Sequence, residues 1–160
     1  MILCLVLGIS CVFAHATTST EPKVITFDFS KPSTMNITGG KQVGLGTSGN
    51  YPEENKITIL QNCISIVSTA GYEDSENGIA HFYSNSRTTI KCAGGNISKI
   101  SLYYADNNSN EAKFTDDSYR LKNTVGTWTA TKVLDEITYT VPNKQVKIKK
   151  IEVTYTPTSD

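Results

Sequence analysis

From residue 24 to residue 155 the apolar side chains keep falling on alternate positions, and this spacing constrains the fold more than any other feature of the chain. Ile25, Phe27 and Phe29 alternate with Thr26, Asp28 and Ser30. The pattern returns at Ile57 and Ile59, at Ile64 and Ile66, and at Thr88, Ile90 and Cys92. It returns again at Ile100, Leu102 and Tyr104, and at Ile137, Tyr139 and Val141. Successive side chains of a strand point to opposite faces, so each run buries one face and wets the other. No window of about ten to twelve residues places apolar groups at i, i+3, i+4 and i+7, so helix should be minor. Turn formers separate the runs, among them Gly39-Gly40, Glu73 to Gly78, Gly94-Gly95-Asn96 and Pro142-Asn143. Many short strands with regular turns predict an all-β fold: an antiparallel two-sheet β-sandwich, jelly-roll-like in strand order. One domain is expected over residues 24–157, after a flexible entry at 17–23 and before a tail at 158–160.

The last strand carries a finer detail. Val146 and Ile148 occupy even positions, whereas Ile151, Val153 and Tyr155 occupy odd ones. A one-residue slip would send a whole apolar set to solvent unless an extra residue absorbs it, so a β-bulge is expected at Lys149-Lys150. The alternative is a strand that changes sheets there.

Residues 1–16, MILCLVLGISCVFAHA, contain no Asp, Glu, Lys or Arg and end in the small-x-small triplet Ala14-His15-Ala16. That reads as a secretory signal peptide, although no Lys or Arg precedes the apolar core. The expected location is therefore secreted or cell surface. Cleavage before Cys11 as a lipoprotein is disfavoured, because Gly8 stands where an aliphatic residue is usual. No apolar run reaches the ~20 residues of a spanning helix. Fifteen Lys and Arg balance fifteen Asp and Glu, which removes the basic excess that nucleic acid would attract.

Past the leader two cysteines remain, Cys63 and Cys92. In an exported chain they could form one disulfide, whose closed loop would stabilise by roughly 3 to 4 kcal/mol. They could equally be two small buried hydrophobes on neighbouring strands.

The residues for common chemistries are largely missing. Gly44-Leu45-Gly46-Thr47-Ser48-Gly49 matches the dinucleotide-binding spelling, but Asn50-Tyr51-Pro52 follows where a helix is needed, so a loop is expected. His81 is the one histidine past the leader, too few for most zinc hydrolases, and no Gly-x-Ser-x-Gly elbow exists. Paired carboxylates could converge from many positions, which spacing alone does not test. The expectation is a protein that is not an enzyme and has no cofactor. Calcium has a partial pattern at Asp106, Asn108 and Asn110, with Glu111 where the sharp turn needs Gly.

Aromatic residues are the remaining lead. Tyr103 alternates with Leu102 and Tyr104 and should stand on the outer face of its strand, either as an ordinary cross-strand tyrosine or as a ligand platform. Trp128 sits between Thr127 and Thr129 and is either a core anchor or a ligand contact. Tyr83 with nearby Arg87 completes the candidate ligand-binding set.

Four segments also carry a resemblance: ITFDFS at 25–30, NISKISL at 96–102, GTWTA at 126–130 and VKIKKIEVTY at 146–155. In order and spacing they resemble small β-sandwich modules of exported Bacteroidetes proteins, with Ala130 where a Gly is usual and two cysteines as departures. The resemblance implies a jelly-roll module of the cell surface and supplies no catalytic residue. The function expected from all of this is a non-catalytic binding module of the envelope or exterior. Its ligand would be a glycan or a cell-surface protein, and a purely structural or protein-interaction sandwich is the alternative.

Overall fold

The alternating runs become strands because each has one face that only a second layer can cover. The computed structural model describes residues 21–42, 51–106, 112–116 and 118–158. Among them are β1 (Lys23–Asp28), β2 (Asn36–Gly39), β3 (Ile57–Gln61), β4 (Ile64–Ser68), β5 (Gly71–Asp74), β6 (Ile79–Phe82) and β7 (Arg87–Cys92). They continue with β8 (Gly95–Tyr104), β9 (Lys113–Phe114), β10 (Arg120–Lys122), β11 (Val125–Thr129), β12 (Glu136–Thr140) and β13 (Val146–Pro157). Two single turns of 3-10 helix, Pro32–Thr34 and Glu53–Asn55, are the helical content of the described residues.

The strands form two antiparallel sheets. One runs β10-β11-β8-β13-β6-β5, with β1 also on β13; the other runs β2-β3-β4-β7-β12-β9. Their inner faces share one core, in which Phe27, Ile59, Ile66, Ile90, Leu102, Trp128, Tyr139 and Ile151 are fully buried. The alternation therefore identified the buried face of every strand it was read from.

β13 is the hub. One of its edges pairs with β8 along nearly its whole length. The other edge takes β6 over Val146–Ile148 and β1 over Lys150–Tyr155. The expected bulge is present: Ile148 faces Tyr104 and Lys150 faces Tyr103, which leaves Lys149 as the extra residue. Its carbonyl accepts the Phe29 amide at 3.1 Å, beside the end of β1. The strand stays in one sheet, so the phase slip is absorbed and both Ile148 and Ile151 are buried. A second register shift, between Thr154 and Tyr155, leaves Ser98 of β8 unmatched.

Two hairpins turn on asparagines in left-handed conformation, Asn62 between β3 and β4 and Asn123 between β10 and β11. Asn tolerates positive φ because its short amide bonds locally to the backbone.

β5 and β6 are not signalled by alternation. Ala80, His81 and Phe82 are buried in succession, so β6 offers no polar face to mark its period.

Candidate ligand-binding groove

The groove grows out of the aromatic end of the core. β9 contributes Phe114, whose ring stacks on Trp128 of β11 at 5.9 Å between centroids and on Tyr119 at 5.1 Å. Tyr139 of β12 closes against the same ring at 5.2 Å. Trp128 must also satisfy its indole N–H, which donates to Asp116 Oδ1 at 2.7 Å. Ser118 donates to the same oxygen from its backbone N–H at 3.2 Å and from its hydroxyl. Burial pushes the Asp116 pKa up, but these bonds, with the positive charge of Lys132, hold the carboxyl below its ordinary value. Asp116 is thus a fixed carboxylate whose three bonds among the described residues fall on one oxygen, Oδ1.

Asp116 lines a groove of about 490 Å³ beside β12. Thr115, Thr131, Lys132, Leu134, Glu136, Ile137 and Thr138 also line it, and the Thr138 hydroxyl is hydrogen-bonded with that of Thr89 at 3.0 Å. Glu136 also pairs with Lys91 at 3.7 Å on the exposed side. The volume lies in the range of small-ligand sites, and the lining is rich in groups that exchange hydrogen bonds with hydroxyls.

The residues expected from sequence to bind ligand do not gather in one place. Trp128 is 0% exposed, so it offers no face to a ligand and is the core anchor; its link to the groove runs through Asp116. Tyr103 stands on the outer face, as its alternation requires, but its ring is already engaged. The hydroxyl donates to Glu152 Oε2 at 2.7 Å, and Lys150 Nζ lies 3.9 Å over the ring centroid while bonding Glu152 Oε1 at 2.8 Å. The hydrogen bond to Glu152 raises the Tyr103 pKa, with burial adding to it. Tyr83 is buried at the far end of the same sheet. It stacks on Tyr51 at 5.8 Å and on Tyr72 at 5.9 Å, and Tyr72 in turn covers His81 at 4.4 Å. Arg87 opens β7 in the other sheet and is exposed, its backbone N–H on Thr69 Oγ1.

Asp106 follows β8, while Asn108 and Asn110 of the partial calcium pattern lie outside the described residues, as do the leader 1–16 and the glycine loop 44–49. Among the described residues no three His, Cys, Asp or Glu side chains gather as a metal site, and no helix is long and apolar enough to cross a membrane. Cys63 and Cys92 are thiols with their sulfurs 3.9 Å apart, close but not joined.

Comparison adds no relative. No family model, curated protein or solved structure matches the chain.

The groove residues Asp116, Lys132 and Glu136 carried no signal in the sequence. They belong to loops and strand ends that only the pairing of β9 with β12 and the reach of Trp128 across the core bring together.

Proposed function

We propose that this chain is a non-catalytic, exported binding module whose groove beside β12 takes a polyhydroxylated ligand, a glycan. The observation that carries the reading is the Asp116 carboxylate, locked by Trp128 and Ser118 on one oxygen, in a groove that Thr115, Thr131 and Lys132 also line. A sugar presents vicinal hydroxyls that both donate and accept, and an ionised acceptor held in place binds them without a fresh ordering cost. In this reading Asp116 is a fixed acceptor and not a general acid. A glycosidase acid needs a raised pKa, and Asp116 is held low instead.

Export is supported by the apolar leader and by the resemblance to exported sandwich modules, and the jelly-roll order belongs to the same reading. Tyr103, Tyr83 and Arg87 lie outside this groove and carry no part of the binding proposed for it.

The test is a glycan array followed by calorimetry, with and without calcium. Lys132→Ala and Asp116→Asn should each weaken binding of any responding glycan about tenfold or more, the value of one charge-assisted hydrogen bond. Tyr103→Ala should leave binding unchanged. If no member of the panel binds, the glycan reading fails and the structural or protein-interaction sandwich takes its place.

A further inference from the structure

Cys63 and Cys92 lie at the end of the smaller sheet where β12 begins, the Cys92 N–H donating to the Asp135 carbonyl at 2.8 Å, next to Glu136 of the groove. Cys63 is the second residue of the β3–β4 hairpin turn, immediately after the left-handed Asn62, and Cys92 ends β7. The two are diagonal neighbours across the β4–β7 ladder: Ile64 faces Cys92, and the Ala93 N–H donates to the Cys63 carbonyl at 2.8 Å. Their sulfurs approach to 3.9 Å, about 2 Å beyond the length of a disulfide bond.

The surroundings favour closure. Cys92 is 1% exposed, whereas Cys63 is half-buried, so one thiol is reachable from solvent and the other waits behind it. The Tyr155 side chain of β13, in the other sheet, stands beside Cys63 and has its own pKa raised by it. Gly95 keeps the space clear, because a Cβ there would stand 2.9 Å from the Cys92 sulfur and 2.9 Å from the Tyr155 ring.

We propose that Cys63 and Cys92 are a disulfide-forming pair, oxidised in the folded protein by a small-molecule disulfide such as glutathione disulfide. The Cys63 thiolate attacks the external disulfide, forming a mixed disulfide and releasing one glutathione thiol. Cys92 then gives up its proton and attacks the Cys63 sulfur, releasing the second thiol. In balance, two S–H bonds break and one S–S bond forms. Two electrons reduce the glutathione disulfide, and its two thiols carry away the two protons. Burial, with Cys63 beside it, raises the Cys92 pKa to about 12 in the dithiol form, so the first attack falls to the half-buried Cys63. The bridge would tie the outer β2-β3-β4 half of the smaller sheet to its centre.

The full chain, reduced and desalted, is incubated folded with glutathione disulfide, then alkylated and mapped by mass spectrometry. The expected result is a Cys63–Cys92 bridged peptide pair lacking two hydrogens, and a melting temperature raised by roughly 5 to 10 °C over the reduced protein. Cys63→Ser should abolish both, and Gly95→Ala, which crowds the Cys92 sulfur, should slow bridging. The proposal is overturned if both thiols remain alkylatable, if Cys63 stops at the glutathione adduct, or if the bonds formed link different chains. Peptide mapping of the unsubstituted chain decides between these outcomes even if a variant misfolds.

Discussion

His81 is a base held away from water, with Tyr72 stacked on its ring and Asp74 Oδ2 at 3.7 Å from Nε2. Burial lowers its pKa below the ordinary 6.5; Lys147 pushes the same way, while Gln145 and Asp74 pull against it. The unfolded chain therefore takes up a proton that the folded chain refuses. The stability from a neutral His81 is whole above about pH 6.5 and is lost as pH falls through that value toward the folded pKa. Urea midpoints at about pH 7.5 and 5.5 should fall for the natural protein and stay level for His81→Gln. The lowered carboxyls Asp28, Asp74, Asp116 and Glu152 start from ordinary values of 3.8 and 4.5, so their losses come in more acid solution. At Trp128 one substitution joins stability and binding. Trp128→Phe removes the donor to Asp116 and should cost about 1.5 to 3 kcal/mol in chemical denaturation, the worth of a hydrogen bond to a charged group. It should also weaken glycan binding by loosening the Asp116 carboxylate.

At the scale of the strand, the bulge in β13 makes a sharp prediction. Deleting Lys149 removes the extra residue and leaves Val146, Ile148, Ile151, Val153 and Tyr155 in unbroken alternation, with Ile148 still opposite Tyr104 and Lys150 opposite Tyr103; what is lost is the carbonyl that accepts the Phe29 amide. The deleted protein should keep its β signature by circular dichroism and lose about 0.5 to 1.5 kcal/mol in chemical denaturation, the worth of one hydrogen bond, whereas Lys149→Ala, which keeps the backbone carbonyl, should match the natural protein. This feature was legible in the sequence because a parity change is visible in a list of residues. The buried faces of β1, β3, β4, β7, β8 and β12 were legible for the same reason. β6 was not, since three consecutive buried residues erase the period, and β9 is two residues long. The groove was less legible still. Tyr103 was placed correctly on an outer face, yet no sequence pattern reveals that Lys150 and Glu152, brought opposite by strand register, have already occupied it. Trp128 lies on β11 and Asp116 twelve positions earlier, in the loop after β9 of the other sheet, and their bond is a fact of packing.

Across the whole molecule the larger sheet depends on its final strand. β13 holds β8 on one edge and both β6 and β1 on the other, so removing it splits the sheet into β10-β11-β8 and β6-β5 and leaves β1 with no partner among the described strands. Termination after Asn143 should abolish the cooperative thermal transition rather than lower its midpoint, which differential scanning calorimetry would show. Most pairings join residues distant in sequence, β1 with β13 above all, and such topologies fold in milliseconds to seconds or slower. A nascent chain leaves the ribosome with its first strand waiting for its thirteenth. If the leader does send it through a translocation pore, the polypeptide would arrive there still extended, needing no machine to unravel it. It would find its shape only on the far side, once the last dozen residues had passed.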